Sequence, residues 1–381
     1  MRVALVQDWL TGMRGGEKCL EVLCEMFPEA EVFTLVHHPG SVSDTIERMP
    51  IRTSFIQHLP GSRRRHQVYL ALFPRAVEAF DLDAYDLIVS TSHCVAKGAR
   101  RTRGVHVCYC HTPMRYVWDF YDEYFGHMPG GRFSQALLRA VAAYLKRWDL
   151  RTLDRVDHFI ANSANVADRI HRYYGREAVV IYPPVDTEFF TPGGEREDVY
   201  LVVSALVPYK RVDLVVEAFQ RLRRRLWVVG RGPEESRLRE RAPEWVEFKG
   251  WVAPETLREY YRRSRALVFA GVEDFGIAPL EAQACGTPVV AYGRGGVLES
   301  VRGIRPGDSG RRAPEPTGIF FDEQTPGAVA DAVRALERMA VEPASLREHA
   351  LTFGRERYRR EMAEAISRYL TEAGRVPAGL V

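Results

Sequence analysis

The sequence predicts an α/β protein built from two parallel, doubly wound sheets. Three observations predict it. The chain has 381 residues, more than one ordinary core accommodates. Short apolar runs alternate with segments of helical period along most of its length. The alternation breaks at Pro183-Pro184 and again at Thr191-Pro192-Gly193-Gly194, and then restarts.

The elements follow in order. Arg2-Val3-Ala4-Leu5-Val6 reads as a first strand that Asp8 cuts off. Apolar runs at 32–36, 87–89, 105–109, 158–160 and 179–182 extend the first sheet. Helical periods lie between them, notably over 17–27, 133–153 and 166–174. After the break, runs at 199–203, 226–229, 246–248, 266–269, 289–291 and 319–321 predict a second sheet. Its helices are predicted over 212–222, 254–261, 277–285 and 328–339. The expected domains are 1–183 and 184–354. A last helix, within about 355–381, is expected to pack back across the junction through Met362, Ala363, Ile366 and Leu370. Ligands of such sheets bind outside the carboxyl ends of the strands, so two such edges are expected to face each other across a cleft.

Composition narrows the function. A net charge of +3 over this length does not suggest nucleic-acid binding. The six cysteines match no zinc spacing, and no secretory signal or membrane-length apolar run is seen. Buried, reduced thiols in a cytoplasmic protein are expected. Only five of the 53 cationic residues are lysines, which makes each lysine worth attention. The segment 61–75 carries four arginines, no acid and an apolar stripe. A helix with one buried face is the favoured reading; peripheral contact with an anionic membrane surface is the other.

The most informative stretch is Glu273-Asp274-Phe275-Gly276-Ile277-Ala278-Pro279-Leu280-Glu281. Proline is accepted in the first helical turn and poorly after it, so Pro279 predicts a helix from about Ile277. Gly286-Thr287-Pro288 predicts its end at Cys285. The amides of Phe275, Gly276 and Ile277 then lie at a helix N-terminus, which binds phosphate through its N–H groups and dipole. Glu273 and Glu281 flank that anion site, and carboxylates accept hydrogen bonds from sugar hydroxyls. The combination suits a sugar nucleotide.

Other candidates fall at strand ends. In Thr11-Gly12-Met13-Arg14-Gly15-Gly16-Glu17-Lys18, Gly15 and Gly16 either present amides to a diphosphate or supply a turn needing φ > 0; the two readings weigh about equally. His111 closes the 105–109 run, and a ligand role is favoured there over a structural one. Lys210 and Arg211 stand at a helix start, where cations are misplaced unless an anion is near. A solvated loop pair is the alternative. Gly230-Arg231-Gly232-Pro233-Glu234, Phe248-Lys249-Gly250-Trp251 and Gly293-Arg294-Gly295-Gly296 follow three further strands. Backbone groups around Lys249 and Trp251, with Arg231 nearby, are candidates to read a nucleobase edge.

Together these pieces resemble the retaining family-4 glycosyltransferases of the GT-B fold, two Rossmann-like domains. The resemblance covers nearly the whole chain. Its strongest part is Glu273–Glu281, similar to the family's E-x7-E motif, supported by Gly15-Gly16, His111, Lys210, Gly230-x-Gly232-Pro233-Glu234 and Gly295-Gly296. More narrowly, the stretches 6–18, 108–116 and 207–213 look like the mannosyltransferases of bacterial O-antigen and exopolysaccharide assembly. That resemblance implies GDP-mannose as donor and a lipid-linked saccharide as acceptor. It implies that Lys210 and the amides at Phe275, Gly276 and Ile277 neutralise the donor diphosphate. Glu281 would take the ribose hydroxyls, Glu273 hydroxyls of the donor sugar, and His111 the sugar near its 6-hydroxyl. No cofactor or metal is expected, and Asp81-Leu82-Asp83 reads as a turn. The chain departs from the family in one place. Many relatives carry Arg-Leu where Ala205-Leu206 stands, so Arg211 or Arg231 would have to supply the missing charge. A GT-B sugar-nucleotide epimerase and a catalytically silent nucleotide-sugar-binding subunit remain as rival readings.

Overall fold

The structure is a computed structural model that describes residues 1–119, 132–307 and 315–375. The chain divides into two compact units, Met1–Pro184 with Glu356–Val381, and Val185–Arg355.

The strands of the first unit are β1 (Val3–Gln7), β2 (Glu31–Thr34), β3 (Ile51–Thr53), β4 (Leu87–Ser92), β5 (Val105–Cys110), β6 (His158–Ala161) and β7 (Ala178–Val180). They form one seven-stranded sheet in the order β3-β2-β1-β4-β5-β6-β7, every pairing parallel. The second unit repeats the plan with β8 (Val199–Val203), β9 (Arg225–Val229), β10 (Val246–Gly250), β11 (Leu267–Phe269), β12 (Val289–Tyr292), β13 (Gly303–Ile304) and β14 (Gly318–Phe321). Their order is β10-β9-β8-β11-β12-β14-β13, again parallel throughout.

Helices cover both faces of each sheet, so the central strands are buried on both sides. β1, β4 and β5 have no exposed residue, which is why they read as unbroken apolar runs. The sequence missed β3 and β13. Both are short strands at a sheet edge and half-exposed, so they lack such a run. In each sheet the strand order reverses at the first strand. The carboxyl ends of β1 and β8 are therefore the topological switch points, where ligands of such sheets bind.

The closing helix, Arg355–Glu372, belongs to the core of the first unit. Tyr358, Met362, Ile366 and Leu370 pack there with Leu20, Leu23 and Tyr109. The predicted residues 376–381 lie outside the described residues. In the segment 61–75 the apolar stripe faces inward. His66 and Phe73 are buried, and Tyr69, Leu70 and Leu72 pack against the core. The segment is half-buried, but it is not the single helix expected: a 3-10 stretch, His66–Leu72, separates the short helices Ser62–Arg65 and Phe73–Glu78, and Val68 is exposed. All six cysteines are buried free thiols. Asp81 accepts a hydrogen bond from the Asp83 amide at 3.3 Å, a turn as expected. No helix among the described residues is long and apolar enough to cross a membrane.

Candidate active site

In the first unit, the candidates gather at the carboxyl edge of β1, β4 and β5. Of the two readings of the glycine turn after β1, the positive-φ one fits Gly12, at φ 156°, but not the two glycines that follow. Gly15 and Gly16 are not in the left-handed region; they open the helix Gly15–Met26. Gly16 is glycine for another reason. A Cβ there would stand 3.3 Å from His111 Nε2 and 3.5 Å from Gln7 Nε2. The small residue lets the His111 ring lie against the first helical turn.

His111 itself follows β5, its amide bonded to the Ser92 carbonyl at 2.8 Å. Its ring meets Tyr109 edge-on at 5.2 Å. Nε2 is buried and has no hydrogen-bond partner among the described residues. Burial, with a smaller effect from His93, pushes the His111 pKa down to about 3, so the imidazole is neutral. A neutral ring beside a helix N-terminus suits hydroxyl recognition; an imidazolium there would oppose the positive end of the dipole.

Three neighbours of this edge escaped the sequence reading. Asp8 is fully buried and accepts four backbone amides, from His93, Cys94, Val95 and Ala96, at 2.7 to 2.9 Å. It also pairs with His93 Nδ1 at 3.1 Å. A carboxylate with so many donors is satisfied without a counter-charge, and it fixes the loop that follows β4. Gln7 accepts from the Thr91 hydroxyl and donates to Glu17 Oε1 at 3.4 Å. Glu17 Oε2 in turn accepts the Arg14 amide at 3.0 Å, which caps the helix. Burial raises the Glu17 pKa. The available signal was position: Gln7 and Asp8 end a central strand at the switch point.

In the second unit, Lys210 follows β8 and Glu273 follows β11, the strand beside it. Lys210 Nζ forms an ion pair with Glu273 Oε1. The lysine also lies 5.2 Å from the Tyr209 ring centroid. The approach is tight because Gly271 has no side chain; a Cβ there would be 3.0 Å from the Lys210 Cα. The structure thus joins residues 63 positions apart in sequence into one charged pair.

The helix begins at Ile277, as Pro279 predicted, and runs to Ala284, one residue short of the expected Cys285. Gly276 precedes it at φ 94°, a conformation that favours glycine. The first N–H groups of this helix have no carbonyl partners within it. Phe275 is a core residue: its ring packs on Phe353 at 5.9 Å, and its carbonyl accepts from Ser300 Oγ at 3.3 Å. Any contact of Phe275 with a ligand is therefore through backbone. Gly295 and Gly296, read from sequence as a ligand turn, support this loop instead. The Gly296 amide donates to the Glu273 carbonyl at 2.9 Å, and a Cβ on Gly296 would fall 2.1 Å from the Asp274 carbonyl oxygen.

Glu281 is 6% exposed, and its Oε2 accepts the Tyr261 hydroxyl at 2.9 Å. Burial, then the Glu281 charge, raises the Tyr261 pKa well above that of an ordinary phenol. The tyrosine therefore stays protonated and fixes the carboxylate. This clamp had no sequence signal, since Tyr261 lies on a different helix, Pro254–Arg263.

The auxiliary cations separate. Arg211 is held by Asp213, with Nε and Nη2 each 3.2 Å from a carboxylate oxygen. Lys249 is held by Glu247 at 2.6 Å and lies 5.3 Å from the Trp227 ring centroid. Arg231 is exposed, packs over Gly250, and has no carboxylate partner among the described residues. Of Arg211, Lys249 and Arg231, it is the cation not held by a carboxylate among the described residues. Trp251, next in the chain to Gly250, is 71% exposed. Gly230 and Gly232 are required by close approach: a Cβ would fall 1.9 Å from the Ser204 carbonyl oxygen and 2.2 Å from that of Leu206.

Comparison with known proteins agrees with this architecture. A Glycosyltransferase Family 4 model matches residues 13–189, and a Glycosyl transferases group 1 model matches residues 186–353. Among solved structures, Anabaena HepE in complex with UDP-glucose superposes with a TM-score of 0.69 at 18% identity, over 97% of this chain and 100% of that one. Sucrose-phosphate synthase from Thermosynechococcus elongatus gives a TM-score of 0.69 at 18% identity, over 98% and 100%. The fold is thus GT-B. Among curated proteins, the D-inositol 3-phosphate glycosyltransferase of Geodermatophilus obscurus is 35% identical over 53% of this chain and 50% of its own length. That of Gordonia bronchialis is 30% identical over 52% and 48%. The chain spans about half the length of the curated relatives it matches. Each unit thus matches a glycosyltransferase model, the first that of Glycosyltransferase Family 4 and the second that of Glycosyl transferases group 1.

Proposed function

We propose that the protein is a retaining hexosyltransferase that moves a sugar from a nucleotide diphosphate donor to a saccharide acceptor. The observation that carries this reading is the Lys210–Glu273 pair, one strand apart at the switch point and next to the N-terminus of the helix Ile277–Ala284. In this proposal Lys210 and the amides of Gly276 and Ile277 take the charge that develops on the β-phosphate as the nucleoside diphosphate leaves. Preorganised donors aimed at that oxygen lower the barrier. Glu273 exchanges its bond with Lys210 for hydroxyls of the donor sugar. Glu281, already oriented by Tyr261, takes the ribose hydroxyls. By the motif resemblance, Gly15, Gly16 and His111 are further candidates for donor contact, His111 through an Nε2 that has no hydrogen-bond partner among the described residues. Retention follows when the acceptor attacks the face that the leaving group vacates, with the diphosphate oxygen taking the acceptor proton. Glu273 and Glu281 are not an acid–base pair of the hydrolase kind in this scheme. No metal is assigned a role, and activity should persist in excess chelator.

The donor we propose is GDP-mannose, with a lipid-linked saccharide as acceptor, from the motif resemblance at 6–18, 108–116 and 207–213. The comparisons favour a second reading, a UDP-sugar donor and an inositol phosphate acceptor. Thermal shift against GDP, UDP and ADP sugars separates the two, because at equal concentration the ligand with the lower Kd for the folded protein stabilises it more. Stabilisation by GDP-mannose supports the first and by UDP sugars the second. Turnover of the donor without any acceptor would replace both with an epimerase.

A further inference from the structure

Two long helices of the first unit have opposite surface chemistry. The closing helix Arg355–Glu372 pairs its arginines with glutamates one turn on: Arg357 with Glu361, Arg360 with Glu364, and Arg368 with Glu372. The helix Arg132–Arg151 does not. Its inner face enters the core through Leu145 and Trp148. Its exposed face carries Leu137, Tyr144 and Leu150, respectively 57%, 40% and 40% exposed. Arg139, Arg147 and Arg151 are also exposed and have no ion-pair partner among the described residues. Lys146 adds a further cation, 4.2 Å from the Trp118 ring centroid. The other exposed positions from 136 to 151 are alanines, and the helix's one acid, Asp149, is buried against Lys97. From Leu137 to Arg151 this face runs about 21 Å with no acid and no neutral hydrogen-bonding residue other than the tyrosine hydroxyl.

We propose that this face docks the protein on the surface of a bilayer containing anionic lipids. Charge complementarity selects the occupant. A second copy of the chain would set cations against cations in a two-fold contact. A soluble polyanion would satisfy the arginines and leave Leu137, Tyr144 and Leu150 in water. A bilayer interface takes both: phosphate headgroups meet the guanidinium groups, and the apolar side chains enter the headgroup–acyl boundary. The sequence offered 61–75 as the less favoured candidate for such a contact, and His66 and Phe73 of that segment are buried. The docking face does not depend on the identity of the donor or acceptor.

Flotation of the full chain with vesicles of phosphatidylcholine alone, and with 30 mole per cent (~30%) phosphatidylglycerol, tests the proposal. Binding is expected with the anionic vesicles, weakening as salt rises. Each cation near such a surface contributes about fivefold to partitioning, so Arg147→Gln with Arg151→Gln should weaken binding about 30-fold. Leu137→Ser with Tyr144→Ser should weaken it as well, because those side chains no longer enter the interface. Arg360→Gln with Arg368→Gln on the paired helix should leave binding within about twofold. All variants change exposed residues, and an unchanged melting temperature confirms that each folds. Equal binding to neutral and anionic vesicles overturns the proposal, as does wild-type binding by the Arg147/Arg151 variant. So does capture by heparin without vesicle binding, or a dimer that the Leu137/Tyr144 variant abolishes.

Discussion

Replacing Tyr261 with Phe deletes one oxygen atom and leaves the ring. The ring contact with Phe190, at 5.8 Å, survives, as does the bond from Thr287 Oγ1 to the Tyr261 carbonyl. What is lost is the 2.9 Å bond to Glu281 Oε2, between groups that are 0% and 6% exposed. A hydrogen bond to a charged acceptor contributes about 1.5–3 kcal/mol, and a buried carboxylate that loses a donor adds its own desolvation cost. A loss of about 2 kcal/mol is expected, which for a unit of this size lowers the melting temperature by about 4–8 °C. Calorimetry on the two transitions should place the shift in the second unit alone. In a Glu281→Gln background the same substitution should cost only about 1 kcal/mol, because the acceptor is no longer charged. The donor KM should rise with little change in kcat, since the clamp positions a carboxylate that holds donor hydroxyls. A shift below about 1 °C, or an equal cost in both backgrounds, would refute the clamp. An unchanged donor KM would refute its part in binding.

Lys210→Ala and Glu273→Ala should each lower turnover about 100- to 1000-fold. Stability should change by no more than about 1 kcal/mol, because the pair is partly exposed, and full activity in either variant would remove it from the mechanism. Gly16→Ala should hold or raise the melting temperature, since alanine favours a helix by up to about 1 kcal/mol. It should still reduce activity by crowding His111; a fully active Gly16→Val would show that the ring position is irrelevant. His106 is buried, with Nε2 2.8 Å from Ser90 Oγ and Nδ1 2.9 Å from the Arg155 carbonyl, and burial lowers its pKa to about 4. Its folded-state pKa lies below the unfolded value of ~6.5, so the unfolded chain binds the extra proton and stability falls as pH drops. By pH ~5 the loss is about 2 kcal/mol, and His106→Gln should flatten the stability profile between pH ~7 and ~5 by that amount. An unchanged slope in that variant would show that His106 is not the titrating group.

Much of this molecule is legible in one dimension because its central strands are buried on both faces. β1, β4 and β5 announce themselves as apolar runs, and the helix at Ile277 is announced by Pro279 and Gly286. Edge strands such as β3 give no such signal, because half of their residues meet solvent. The glycines were legible as turns but their reasons were not. Gly16 makes room for an imidazole that arrives from β5, and Gly296 for a backbone that arrives from β11. Neither neighbour is close in sequence. Arg211 and Arg231 looked equivalent as spare cations until Asp213 was seen to hold one of them.

The sequence by itself determined the strand-and-helix alternation, the place of the candidates after the strand ends and the helix start that Pro279 marks. Those depend on periodicity and on residues within a turn or two of one another. The tertiary structure alone decided which groups meet. It paired Lys210 with Glu273, gave Glu281 its Tyr261 donor, left His111 neutral beside Gly16, and surrounded Asp8 with four amides. Each of these is a contact between elements brought side by side by parallel β-strand pairing or helix packing. Burial then sets the charge state, as at His111, where desolvation disfavours the imidazolium.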